Sequence, residues 1–167
     1  MKALTVRQPF AGAIASGEKT IENRTTRWAH RGPLAIHAGS RPEAEWAFDM
    51  VERLTGRPVP NPGVPRCPPR WRMSAVIAVV DVVDAHDETE CRLGCSPWAM
   101  RAVDLCADHR RGRCSTTHRP AWHYELANAR LLPVPIQTDG ALGLWTLRPD
   151  LAARVANQID LTLEESP

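Results

Sequence analysis

The stretch Gly17-Glu18-Lys19-Thr20-Ile21-Glu22-Asn23-Arg24 decides how this chain is read, because it sets an ammonium, a carboxylate and a guanidinium within six residues, Lys19 to Arg24. In an extended segment alternate side chains share a face, so Glu22 and Arg24 point one way and Lys19 the other. In a helical or tightly turned segment, Lys19 and Glu22 meet as neighbours three apart. Either geometry can grip an anion, orient a sugar or move a proton. The plain alternative is a solvated strand edge whose ion pair contributes well under about 1 kcal/mol.

Working outward, Leu4-Thr5-Val6-Arg7-Gln8-Pro9-Phe10 leads into Ala11-Gly12-Ala13-Ile14-Ala15-Ser16-Gly17. This predicts a short strand, an Ala-rich helix with Pro9 near its first turn, and a glycine that stops it. Further strands are expected over residues 20–24, 34–38, 73–83, 124–132 and 142–147, where β-branched and alternating apolar residues concentrate. Helices are expected at 10–16, 43–54 and 150–158. In the second of these Ala44, Ala47, Phe48, Val51 and Leu54 recur at helical spacing and are expected in the core. Five or six short strands with helices filling the ends suit an α+β fold built on a small, partly closed barrel. The Pro-rich piece from Arg57 to Arg70 cannot enter a sheet interior and reads as an extended surface loop.

The pattern Arg7-Gln8-Pro9-Phe10-Ala11, then Gly17-x-Lys19-x-x-Glu22-x-Arg24, resembles the N-terminal signature of the ASCH (activating signal cointegrator homology) domain of the PUA-like superfamily. Later landmarks keep the family's order: Pro33 to Ala38, a helix near Pro42 to Leu54, the strand Ser74 to Val83, Arg130 to Pro135, and Gly143-Leu144-Trp145. The resemblance implies a PUA-like β-barrel of about five or six strands with flanking helices. It spans most of residues 1–167 as a single domain and departs chiefly in a Cys- and Arg-rich stretch at about 87–121.

At 167 residues the chain is long enough for one core that buries about two-thirds of its extended surface. No apolar run approaches the roughly 20 residues needed to cross a bilayer, and Met1-Lys2 opens on a strand, so a cytoplasmic location away from membranes is expected. Net charge is only +2, so the placement of charge must carry the argument. Basic residues cluster without acids at Arg24–Arg41 and at Arg53–Arg72, and again at Arg110, Arg111, Arg113 and Arg119, with Trp28, Trp71 and Trp122 beside them. Guanidinium groups next to indoles offer phosphate contacts and stacking platforms together, as single-stranded nucleic acid or a nucleoside requires.

Four of the five cysteines fall between Cys91 and Cys114. Cys91, Cys95, Cys106 and Cys114-x3-His118 could supply a structural zinc, but the spacing misses the tighter knuckle pattern. Cys106 also fits the apolar face of a helix from about Pro97 to Arg110, with Ala102, Val103 and Leu105. The residues therefore favour free thiols and no cofactor, zinc being the alternative.

Three functional classes remain. The resemblance implies first a binding module for RNA, other single-stranded nucleic acid or a modified nucleoside, gripped in a basic cleft. Arg7, Gln8, Pro9, Arg24, Trp28 and His37 are the expected ligand contacts, with Lys19 and Glu22 beside them. The alternative readings are that Arg7 serves the fold by pairing with Glu22, Gln8 by bridging the loop, and His37 as a core histidine. Secondly, the family includes an amidohydrolase of acetylated cytidine that resembles this chain at Lys19. Glu22 stands where that enzyme has its threonine nucleophile, so a carboxylate would have to activate water, and Asp84 and Glu88 are candidates for its distant acid. Thirdly, a ribonuclease would draw on Lys19, Glu22 and His37. The oligomeric state is not legible.

Overall fold

In a computed structural model the placed residues are 1–61, 67–91, 95–106, 112, 114 and 118–164, with side chains described as far as Ile159. The run Ala75-Val76-Ile77-Ala78-Val79-Val80 is buried throughout. Such an unbroken apolar run belongs at the centre of a sheet covered on both faces, and it opens the strand Ala75–Asp87 (β4) near the middle of a six-stranded sheet. Its companions are β1 (Lys2–Val6), β2 (Ile21–Arg24), β3 (Gly32–Ala38), β5 (Trp122–Gln137) and β6 (Leu144–Thr146). The order across the sheet is β2-β5-β4-β3-β1-β6; β1 and β3 run parallel and the other neighbours antiparallel. Three register shifts along the β4–β5 ladder and one between β3 and β4 add local twist, and the sheet curls into a half-barrel with β2 and β6 at its edges.

Alternation along the strands sorts the core into two layers. Leu4, Leu34, Ile36 and Ile77 face the helix Phe10–Ala15 (α1), which is buried from Ala11 to Ala15. Ala3, Ala35, Val76 and Val79 face Leu151, Val155 and Ile159 of the C-terminal helix Pro149–Glu164 (α4). A third cluster joins α1 to the helix Glu45–Thr55 (α2) through Ala13, Val51, Trp71 and Trp98.

The α+β barrel-like architecture and its strand number agree with the sequence reading, with informative differences at the edges. β5 runs on through Pro133 and Pro135, where the sequence ends a strand at residue 132. Proline is tolerated there because β2 covers only the other end of β5, and the Val134 N–H and C=O are both taken by the Gln158 side chain of α4, at 2.9 and 3.0 Å. Within α2 only Ala47 and Val51 are fully buried. Ala44, expected in the core, is the exposed N-cap residue instead, while Phe48 and Leu54 are half-buried. The helix expected over 97–110 is one turn, Ala102–Leu105 (α3); residues 107–111, and with them Arg110 and Arg111, lie outside the described residues, as do Arg113 and the loop 62–66 including Arg66. No helix among the described residues is long and apolar enough to cross a membrane.

Candidate functional site

Gly17, at φ 76°, turns the chain away from the end of α1, and Lys19 N–H returns to Ala13 C=O at 2.9 Å before β2 begins. Both geometries available to the octet are therefore used: a turn at Lys19, extended backbone from Glu22 to Arg24. The Lys19 ammonium, 3% exposed, donates to Ile21 C=O and to Glu22 Oε2 at 3.0 Å. Strand alternation puts Glu22 and Arg24 on one face, where Arg24 Nε lies 2.9 Å from Glu22 Oε1. This is a close charge contact more than an aligned hydrogen bond, since the guanidinium directs Nη2 to Thr5 C=O at 2.9 Å. One buried carboxylate thus holds two cations.

Burial shapes the titration of this triad. Burial pulls the Lys19 ammonium below its ordinary value, against the attraction of Glu22. For Glu22 burial pushes upward, but the charges of Lys19 and Arg24 outweigh it and hold the carboxyl below its ordinary range. Glu22 is ionised at neutral pH.

The triad lines a pocket of about 340 Å³, whose apolar walls include Phe10, Trp46 and Trp98. Arg7 and Glu43, 3.7 Å apart, flank it on another side, and the fully exposed Leu142 belongs to its lining. Trp98 comes from the stretch the sequence treats as atypical, and it is fastened by Asn23 of the octet. Asn23 Nδ2 donates to Trp98 C=O and its Oδ1 accepts from Met100 N–H, each at 2.8 Å. Trp46, Trp98, Asn23 and Glu43 went unremarked in the sequence. Trp46 had a signal, being next to core-facing Ala47 on α2; Trp98 had none, because its partner is Asn23, far away along the chain.

Of the expected contacts, Lys19, Glu22, Arg24 and Arg7 meet at this pocket. Arg7 pairs with Glu43 there, not with Glu22. Gln8 is fully buried and serves the fold: its carbonyl accepts from Gly12 N–H at 2.9 Å, and its amide donates to Arg70 and Arg72 C=O at 2.9 and 3.1 Å. Pro9 is buried at the start of α1. Trp28 stacks on the Tyr124 ring at 4.4 Å, with the Arg24 guanidinium 5.7 Å from its own ring. Neither Gln8, Pro9 nor Trp28 lines the pocket.

His37, 2% exposed, donates from Nε2 to Thr138 C=O at 3.0 Å and lines a separate cavity with Ser74 and Thr138. Burial lowers its pKa. Asp84 pairs with Arg31 at 3.6 Å, and Glu88 accepts from Ala102 and Ala121 N–H groups; neither acid lines the Lys19 pocket. Arg27 and Arg70 lie over Trp122 and Trp71, away from it. Among the described residues the pocket therefore sets three cations, Arg7, Lys19 and Arg24, against Glu22 and Glu43, closer to balance than the basic cleft expected.

The metal-ligating side chains also fall differently from the expected quartet. Cys91 and Cys95 gather with His86 and His123, whereas Cys106 and Cys114 gather with His118. Cys106 follows α3 as a half-buried residue.

A curled six-stranded sheet with flanking helices places the molecule in the PUA-like class of α+β folds. The ASCH domain model matches residues 4–133, and the chain belongs to the ASCH family. Among solved structures it is similar to an ASCH protein from Zymomonas mobilis, at 18% identity and a TM-score of 0.55, with 93% of each chain covered. A Tyr-to-Phe variant of an ASCH protein from that organism gives 14% identity and a TM-score of 0.56, covering 93% of this chain and 96% of the other. At such identity the likeness speaks for the fold. No functionally curated protein matches the chain.

Proposed function

We propose that this ASCH domain binds a nucleoside unit, free or at an unpaired position of single-stranded RNA, in the Lys19–Glu22–Arg24 pocket. The observation that carries the reading is the buried Lys19–Glu22 pair in a pocket with tryptophan walls. An ammonium has three N–H donors. Two are engaged by Ile21 and Glu22, which leaves one for a ligand, beside a carboxylate that accepts from an exocyclic amine or a hydroxyl. A donor next to an acceptor matches the edge of a nucleobase, and the half-buried Trp46 supplies a face on which stacking contributes about 1–3 kcal/mol per base, while the buried Trp98 forms apolar wall. Near-neutral charge favours one nucleoside with at most a flanking phosphate at Arg7 over a long polyanion.

A second reading, hydrolysis of an acylated cytidine or of RNA, draws support from the depressed Lys19 pKa. Burial disfavours the Lys19 charge and so eases release of its proton to a leaving group, while Glu22, pulled below its ordinary range, is a weak base at neutral pH. Water would then be the nucleophile.

The two readings separate when the full chain is incubated with cytidine, acetylated cytidine and the other nucleosides, then with single-stranded RNA and DNA, scoring retention and product together. Retention without product is expected. Release of acetate would make the domain an amidohydrolase and strand cleavage a ribonuclease, and absence of both retention and product would remove the nucleoside reading.

A further inference from the structure

We propose that His86, Cys91, Cys95 and His123 form a four-ligand zinc site that pins the Trp98 wall of the pocket to the sheet. The four donor atoms come from the end of β4, the loop after it and the start of β5, and all lie within 4.8 Å of one another. His86 and His123 are opposite each other in the β4–β5 ladder, so the sheet itself sets half of the cluster. His86 Nε2 lies 3.2 Å from each sulphur, and His123 Nδ1 lies 3.1 Å from Cys91 Sγ and 3.5 Å from Cys95 Sγ.

The outward nitrogens make the case independently. His123 Nε2 is 2.9 Å from Met100 C=O, to which it donates, and His86 Nδ1 is 3.5 Å from the Glu125 carboxylate. Each ring thus has an oxygen partner on one nitrogen and turns the other towards the two sulphurs. This is how metal-bound imidazoles are oriented. Two thiolates and two imidazoles suit zinc, and four protein ligands make a closed site that holds structure.

Around zinc, with bonds of about 2.3 Å to sulphur and 2.0–2.1 Å to nitrogen, neighbouring donors stand roughly 3.5 Å apart. The sulphur–nitrogen spacings already lie near this. The two sulphurs, now 2.6 Å apart, would separate by about 1 Å on tetrahedral zinc; Cys95 is exposed and can move. The consequence reaches the pocket, because Met100 accepts from His123 while its N–H is held by Asn23, which also holds Trp98 C=O.

The full chain, expressed with zinc and purified without chelator, is assayed by elemental analysis beside Cys91→Ser and His86→Ala. Because the Cys106–Cys114–His118 group can hold metal of its own, the difference from the parent is the reading: about one equivalent fewer in each variant is expected. Should a variant fail to fold, the Cys114→Ser chain loaded with cobalt(II) keeps the question open to test. It is expected to show the intense visible bands of a tetrahedral ion and sulphur-to-cobalt charge transfer. A difference below about a tenth of an equivalent in folded variants would overturn the site. So would the weak spectrum of an octahedral ion, or a Cys91–Cys95 disulfide found by mass in the protein as purified.

Discussion

Glu22 shares its carboxylate between Lys19 and Arg24, so the three members of the triad are not equivalent under mutation. Glu22→Gln strands both cations. Lys19 can shed its proton, but Arg24 cannot, so a cost of about 3 kcal/mol or more is expected, visible as a melting temperature lower by roughly 10 °C. Lys19→Met is milder, since the Glu22–Arg24 contact survives and a charge that burial disfavours is removed; stability should stay within about 2 kcal/mol of the parent. A reversed order of the two variants would show that Lys19, not Glu22, organises the triad.

The acid side of the stability curve follows from the same carboxylate. Its folded pKa lies below the ordinary 4.5, so Glu22 contributes stability that is fully present above that value and lost as pH falls through the folded one. Melting temperature measured from neutral to acid pH should decline less steeply for Glu22→Gln than for the parent. Some slope will persist through Asp81, which burial raises but Asn128 and Arg130 lower further. An unchanged slope would mean that Glu22 is not held ionised by its neighbours.

Among residues the octet was legible, because ammonium, carboxylate and guanidinium at that spacing can meet in either backbone geometry. Gln8 was not: its three hydrogen bonds go to Gly12, Arg70 and Arg72, and the last two are more than sixty positions away. Sequence alone could not tell such a clamp from a residue that reads a base.

The element whose packing is least forgiving is α1. A Cβ at Gly12 would stand 2.5 Å from the Trp71 ring, and the backbone on either side of Trp71 is held by the Arg70 and Arg72 carbonyls, which accept from Gln8. Alanine gains about 1 kcal/mol of helix propensity over glycine, but overpacking a filled core costs about 1–3 kcal/mol, so Gly12→Ala should be destabilising on balance. Adding Trp71→Phe removes the ring atoms that collide. The double variant should melt above the value expected if the two changes were additive, and strict additivity would place the conflict elsewhere.

Elements with a clean period were legible: β2 and α1 lie within a residue of their expected positions. The C-terminal extension of β5 was hidden by Pro133 and Pro135, because the side-chain clamp from Gln158 that accommodates them is a tertiary feature. The Trp98 wall was hidden for the same reason. Its anchors are Asn23 and the histidine–cysteine cluster, and neither gives the local sequence a periodic pattern.

For the whole molecule, the sequence showed the curled α+β sheet through the order of its strands and helices, while the charge of the cleft depended on which arginines reach it. Arg27 and Arg70 lie on tryptophans elsewhere, and Arg7 and Arg24 each face a carboxylate. Affinity for single-stranded RNA should therefore depend weakly on salt. A log–log slope no steeper than about −1.5, equivalent to about two neutralised phosphates, is expected in titrations at rising sodium chloride. A slope steeper than about −4 would put a polyanion track outside this pocket.

The most direct measurement is a calorimetric titration of the nucleoside that the retention assay selects, into the parent chain and into Lys19→Met. The pocket reading expects saturable binding with one site per chain in the parent, and a loss of at least about tenfold in affinity for Lys19→Met, or about 1.4 kcal/mol, at a melting temperature close to that of the parent. Equal affinity in the two proteins would contradict it, because a ligand indifferent to the buried ammonium is not bound where Lys19, Glu22 and Arg24 meet.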